Sequence, residues 1–330
     1  MASARDREEV RARLEQLRRY LERHYDIRVT GLSRLDRGVY RVDRQGGGSW
    51  VARVFPVDRG VEQARGDAEV LRFLESKGFP AERCARPEPV SAPGGRVVLV
   101  TEFIEGTVPE RSESVLRSLG ELLGRLNNLP SGSGRVEREA GALHVYTARE
   151  GSLRNEFDAA ASWLDEVESK VPAPNRTVLQ SLREQLVRAD DCHGLPKALI
   201  HPDPVLKNII ATKTGAPVLI DWTGAGLGPR LAPLAVLIWS SALGSQGWSL
   251  ERVDPVVNGY RSHVQLKETE LARLAGAMRA RPLVFACWRY RHSVLSGKTP
   301  NGKEWWMPSD ELVEAITGRA RSVFETPPES

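Results

Sequence analysis

Two hydrophobic periodicities, and the order in which they occur, limit most strongly what this chain can fold into. Strand-like patterning comes first. Residues 38–42 (Gly-Val-Tyr-Arg-Val) and 49–55 (Ser-Trp-Val-Ala-Arg-Val-Phe) flank a glycine-rich turn at Gly46–Gly48, and a third apolar run, 96–103, closes at Glu105-Gly106. β-Branched and aromatic residues on both sides of such a turn predict a hairpin. Ahead of it, Val10, Leu14, Leu17 and Leu21 recur at helical spacing, and a second helical stretch carries Ala64, Ala68, Leu71 and Leu74 before Gly78 and Pro80. Beyond about residue 107 the pattern turns helical. Leu116, Leu119, Leu122, Leu123 and Leu126 make one stripe, Ser131–Gly134 breaks it, and further helices are expected near 153–170, 176–189, 230–244 and 268–295. One hairpin interrupts them, with 208–212 and 217–221 flanking Lys213–Ala216. This order predicts an α+β chain: a small N-terminal lobe with an antiparallel sheet and a leading helix (1–105), then a larger, mainly helical C-terminal lobe (106–330). A cleft between two lobes is a natural place for a ligand.

Composition narrows the class. At 330 residues, 41% hydrophobic and 27% charged, the chain has the balance of a globular protein able to bury a sizeable core. The formal net charge of +4 is small for this length, and the basic residues are interleaved with acids, which argues against a nucleic-acid footprint. No apolar run approaches the roughly 18 residues that a membrane span needs. The N-terminal stretch is charged throughout and lacks the apolar core of a signal peptide. Cys84, Cys192 and Cys287 are too few and too scattered for a disulfide framework or a zinc cluster. The expectation is a cytoplasmic protein with no nucleic-acid or membrane partner.

The chemistry is concentrated in one stretch. Leu199-Ile200-His201-Pro202-Asp203-Pro204-Val205-Leu206-Lys207-Asn208 contains H-x-D-x-x-x-x-N, and Val218-Leu219-Ile220-Asp221-Trp222 follows across the hairpin. In this combination of spacings the sequence resembles the aminoglycoside-phosphotransferase and choline-kinase superfamily, distant relatives of the protein kinases. The resemblance covers both lobes, from about residue 30 to about residue 290, and implies a bilobal protein-kinase-like fold and a kinase that acts on a small-molecule hydroxyl. Transfer of a γ-phosphoryl group needs charge neutralisation and in-line positioning more than covalent chemistry. By resemblance, Asp203 would orient the acceptor hydroxyl and take its proton. Asn208 and Asp221 would offer oxygens to Mg²⁺, and ATP or GTP would be the donor. Arg53 would hold the donor phosphates, with Glu69 on the following helix fixing its direction. Thr101 would lie behind the adenine, and the backbone of Glu102 and Ile104 would meet the purine edge. His201 would hold the loop by packing and hydrogen bonding.

Several positions depart from the family pattern. The family lysine is Arg53 here, a substitution that choline-kinase-like members share, and its planar fork suits phosphate oxygens. Pro233 replaces a second aspartate that braces the catalytic loop in relatives, while Pro202 and Pro204 flank Asp203 and would stiffen the loop themselves. The phosphate-covering turn Leu35–Gly38 has a single glycine, and ordinary turn chemistry explains it equally well. Lys207 reads either as a phosphate neutraliser or as an exposed lysine. Asp158, Asp165, Glu166 and Glu168 would either attract a cationic acceptor or form a solvated helix face. Trp305 and Trp306 would stack on an acceptor or close a core. Two other functional readings stay open: a kinase-like nucleotide-binding protein without turnover, and a metal-dependent hydrolase using His201, Asp203 and Asp221.

Overall fold

The computed structural model describes residues 4–57, 59–130, 138–140, 153–244, 247–297 and 309–326. The chain forms two compact units, residues 1–106 with 212–220, and residues 107–211 with 221–330. In the first unit, helix α1 (Ala4–Tyr25) precedes strands β1 (Val29–Asp36), β2 (Val39–Arg44) and β3 (Trp50–Val54). Helix α2 (Val61–Ser76), the short β4 (Val90–Ser91) and β5 (Val98–Glu102) follow, and the chain leaves through β6 (Gly106–Thr107). The antiparallel sheet has the order β1-β2-β3-β5-β4.

Alternation along these strands builds a core on each face of the sheet. Leu21 and Tyr25 of α1 pack with Val42, Trp50, Ala52, Val98 and Val100. Ala64 and Ala68 of α2 pack with Phe55, Val97 and Leu99. Arg53 follows Ala52 and pairs in register with Leu99, so strand alternation puts it on the α2 face. Strand β1 is absent from the sequence expectation because it is an edge strand whose residues beyond Val29 are all partly or fully exposed, so no buried run marks it. The segment 212–220 joins this unit, although the order of elements along the chain predicts it in the helical one. Leu219 explains this, for its N–H donates to the Pro80 carbonyl at 3.0 Å and its carbonyl accepts from the Glu82 N–H at 3.3 Å.

The second unit begins with α3 (Glu113–Asn127), capped by Ser112, whose hydroxyl accepts from the Val115 N–H. It continues through α4 (Leu153–Val167), α5 (Arg176–Arg188), strand β7 (Lys197–Ile200), strand β8 (Ile209–Thr212) and, after β9 (Pro217–Leu219), which belongs to the first unit, β10 (Gly226–Pro229). Helices α6 (Leu231–Ala242), α7 (Val253–Arg261), α8 (Glu268–Leu271), α9 (Leu274–Leu295) and α10 (Asp310–Glu325) complete it. Phe157, Leu164, Leu182, Leu186, Leu283, Val284, Cys287 and Tyr290 join α4, α5 and α9 in one core. No helix among the described residues is long and apolar enough to cross a membrane.

Helices α3 and α7 approach until backbone meets backbone. A Cβ on Gly120 would stand 2.0 Å from the Val256 carbonyl oxygen, and one on Gly259 would stand 2.0 Å from that of Arg117. Hydrogen is therefore the only substituent that fits at either position without a backbone shift. Gly318, on an exposed face of α10, has nothing within 4 Å of its would-be Cβ. Gly120→Ala is expected to lower unfolding stability by about 1–3 kcal/mol. Gly318→Ala should raise it by about 0.5–1 kcal/mol, because only the backbone-entropy term changes there. Urea midpoints of the two variants against the parent check the contrast.

Candidate active site

In the second unit, the His201–Asn208 loop grows from a braced strand. Ala198, Leu199 and Ile200 of β7 are buried, and β10 pairs with them antiparallel, Gly226 opposite Ile200. From the end of α3, the buried Asn127 donates through Nδ2 to the Leu199 carbonyl at 2.9 Å, and its Oδ1 accepts from the Tyr260 hydroxyl at 2.9 Å. Burial pushes the Tyr260 phenol well above its ordinary value, which keeps it a donor.

The loop then fixes Asp203 through its backbone. His201 is fully buried, edge-on to Trp222 with ring centroids 4.7 Å apart, and its Nδ1 accepts the Asp203 N–H at 3.1 Å. The Asp203 carbonyl accepts from the Val205 N–H at 2.8 Å and from Asn208 Nδ2 at 2.8 Å. With Pro202 and Pro204 on either side, φ is fixed before and after it. The carboxylate meets two cations: Oδ1 lies 2.5 Å from Arg281 Nη1 of α9, and Oδ2 lies 3.6 Å from Lys207 Nζ. Burial is the largest single influence and raises the Asp203 pKa, but the Arg281 charge and hydrogen bond, with Lys207 and His201, together outweigh it and hold the group below the usual carboxylate value.

Asp221 adopts the left-handed conformation at φ 67°, which aspartate tolerates better than most residues, and its Oδ1 is buried. Asn208 commits its amide nitrogen to Asp203, which leaves Oδ1 as a ligand atom. Two hard oxygens of this kind fit Mg²⁺, which takes one or two protein ligands and completes its shell with water and phosphate. A transition-metal site is a poorer fit. Among the described residues no group of three His, Cys, Asp or Glu side chains is placed to hold a metal ion, and the His201 Nδ1 is occupied by the Asp203 N–H.

Pro233, expected to mark the loss of a brace, sits in the first turn of the buried helix α6, where a missing N–H breaks no helical hydrogen bond. The residue before that helix, Arg230, forms a bidentate pair with Glu270, which is 0% exposed, at 2.9 and 2.7 Å. Three of the four acids singled out on α4 and its extension carry ion pairs, and Asp158 is exposed. Asp165 and Glu168 both bind Arg183, and Glu166 binds Arg291. Trp305, Trp306 and the Ser131–Gly134 loop lie outside the described residues.

In the first unit, Arg53 is half-buried on the α2 face of the sheet. Glu69 does not fit the expected role beside it, because its side chain lies on the exposed face of α2. The inward acid is Asp67, 1% exposed, which pairs with Arg59 at 2.5 Å. The helical period held the signal. Asp67 falls at i+3 from Ala64 and i+4 before Leu71, in the apolar stripe, whereas Glu69 falls outside it. Along β5, the Glu102 N–H donates to the Arg83 carbonyl at 2.8 Å and the Phe103 N–H to the Ser49 carbonyl at 2.9 Å. The Ile104 N–H has no backbone partner among the described residues. The buried Thr101 hydroxyl donates to Glu82 at 3.0 Å. The Asp36–Gly38 turn is a tight hairpin corner in which Gly38 has φ 73° and its would-be Cβ meets the Val54 carbonyl at 2.6 Å.

A small antiparallel-sheet unit and a larger helical unit carrying this loop define a bilobal protein-kinase-like fold. The profile of the phosphotransferase enzyme family matches residues 28–276. The chain belongs to that family. Among solved structures it is similar to the amicoumacin kinase hAmiN in complex with AMP-PNP and Ca²⁺ (TM-score 0.62, 15% identity, 96% of each chain covered). It is also similar to the choline kinase LicA from Streptococcus pneumoniae (TM-score 0.57, 14% identity, 94% of this chain and 96% of that one). Spectinomycin phosphotransferase in complex with ADP and spectinomycin matches at TM-score 0.56 and 12% identity, covering 94% of this chain and 97% of that one. At these identities the likeness is one of fold. No match is found among curated proteins.

The two acids of α2 separate cleanly in a stability measurement. Asp67→Ala leaves a largely buried Arg59 without its counter-charge and is expected to cost about 3 kcal/mol. Glu69→Ala on the exposed face should stay within about 0.5 kcal/mol. Denaturant unfolding of both variants checks this.

Proposed function

We propose that the protein is a Mg²⁺-dependent small-molecule kinase that moves the γ-phosphoryl group of ATP or GTP to a hydroxyl of a small acceptor. The observation that carries this reading is the backbone clamp on Asp203, whose N–H is held by His201 and whose carbonyl is held by Asn208. The clamp frees the carboxylate to face a substrate, and it commits one end of Asn208 while reserving the other for a cation. Family membership supports the reaction class, and the nucleotide complexes of hAmiN and spectinomycin phosphotransferase support a purine nucleotide donor.

Each residue then has a defined task. Asp203 accepts a hydrogen bond from the acceptor hydroxyl and takes its proton as the oxygen attacks. The new bond joins that oxygen to the γ-phosphorus, and the bond to the β–γ bridging oxygen breaks, releasing the nucleoside diphosphate. Bound at Asn208 and Asp221, Mg²⁺ would supply charge neutralisation to the phosphate oxygens. Arg53 holds the α- and β-phosphates, and Asp67, rather than Glu69, is the α2 acid suited to orient it. The carbonyl of Glu102 and the N–H of Ile104 meet the purine edge.

The test is transfer of labelled γ-phosphate from Mg·ATP and Mg·GTP across aminoglycosides, other antibiotics, amino alcohols, sugars and hydroxy acids. Asp203→Asn should lower turnover on the accepted compound by roughly 10²–10⁴-fold, the usual contribution of a positioned base. Equal product from that variant would overturn the assignment of Asp203. Nucleotide binding with no acceptor phosphorylated would favour a binding protein without turnover.

A further inference from the structure

The surroundings of Asp203 are basic, and nothing in the reaction itself requires that. One carboxylate faces Arg281 at 2.5 Å and Lys207 at 3.6 Å, which leaves the cluster a net positive charge. Arg281 comes from α9, the helix whose opposite side, through Leu283, Val284, Cys287 and Tyr290, is locked into the core of the second unit. Its position is therefore fixed by packing rather than by the ion pair. Its guanidinium lies over the Phe285 ring at 5.3 Å, and Arg289, two turns along from it, lies over the same ring at 5.7 Å. Residues 281, 285 and 289 are spaced by four, so one helix face presents cation, aromatic ring and cation in a row.

A guanidinium carries five N–H donors in a planar fork. Among the described residues, Asp203 is the one polar partner of Arg281, so most of that fork is left for something else. Lys207 is 71% exposed and within reach of a ligand. Three of the acids on α4 and its extension are paired with other arginines: Asp165 and Glu168 with Arg183, and Glu166 with Arg291. A multiply protonated acceptor brought to Asp203 would meet two positive charges at a distance where repulsion is strong. A carboxylate or a phosphate would meet a fork built for it.

We infer that the acceptor is an anion, a hydroxylated carboxylate or phosphate ester, whose acidic group is seated by Arg281 beside the hydroxyl that faces Asp203. This rests on the phosphotransfer reading above and gives that site a substrate class. Arg281 is then the specificity-determining residue. It shares its donors between the base and the acidic group of the acceptor, so that bound substrate and Asp203 are held by one planar group. Lys207 supplies a second positive charge from the loop itself.

The test uses the full chain with Mg·ATP and matched acceptor sets that share a skeleton: gluconate and glucose 6-phosphate, glucose, and glucosamine, extended to other hydroxy acids, neutral alcohols and amino alcohols, with aminoglycosides included. The wild type should prefer the acids within a set. Arg281→Met should lower kcat/KM for the preferred acid on the order of 100-fold, the loss expected for one charge-assisted hydrogen bond with its ionic partner left unpaired. That loss should fall mainly on KM, and the acid-over-neutral ratio should collapse with it. Arg281→Lys should recover part of the preference. A merely structural Arg281 would instead lower kcat alike for every acceptor. Should Arg281→Met fail to fold, the wild-type order of acceptors still decides. Amines preferred over acids would overturn this inference and leave the kinase reading intact, whereas transfer to no acceptor at all would overturn both.

Discussion

The catalytic role proposed for Asp203 depends on where its backbone is held. Its N–H is given to a fully buried imidazole and its carbonyl to an asparagine amide five residues on. Neither interaction uses the carboxylate. The histidine is itself held by the edge of Trp222, and the strand that delivers it is tied to α3 by Asn127 and through it to Tyr260 of α7. A carboxylate mounted this way can change its partner without changing its place, which a residue that both carries load and reacts cannot do.

The same separation of roles recurs in the first unit. Arg53 takes its direction from strand alternation and from the α2 face of the sheet, not from an exposed neighbour. The inward position on α2 goes to Asp67, whose removal from water is offset by Arg59. An acid on the outer face of that helix would hold a flexible arginine only weakly, because solvent screens the pair and side-chain entropy opposes it. Hence the helical stripe, rather than proximity in sequence, selects the structural acid.

How much of this the sequence disclosed follows from how local each feature is. The loop from His201 to Asn208 and the return to Asp221 were legible because a few fixed separations along the chain carry them. The order of sheet and helices was legible from periodicity. Helix α7 was not anticipated, since it contains Pro255 and Gly259. In place, the proline lies in the first turn, and the glycine is what lets α3 approach. Pro233 likewise lies in a first turn, that of α6, where it breaks no helical hydrogen bond yet offers no carboxylate to brace the loop. Asp67 was readable from the stripe it shares with Ala64 and Leu71. Arg281 was not readable at all. Only the packing of α9 on α4 and α5 brings it to Asp203, and no spacing records a contact between segments so far apart.

The glycine contact between α3 and α7 has a reach beyond its own packing. These two helices carry Asn127 and Tyr260, and their separation is set by backbone atoms in contact rather than by side chains that can shift rotamer. The pair acts as a gauge block for the strand that leads to His201 and Asp203: its thickness admits no adjustment, and whatever moves it moves Leu199 as well. Sequence drift in this region would therefore surface first as a misplaced Asp203 in a protein that still folds. Residues lying far from any substrate would then behave, in a survey of variants, as though they belonged to the active site.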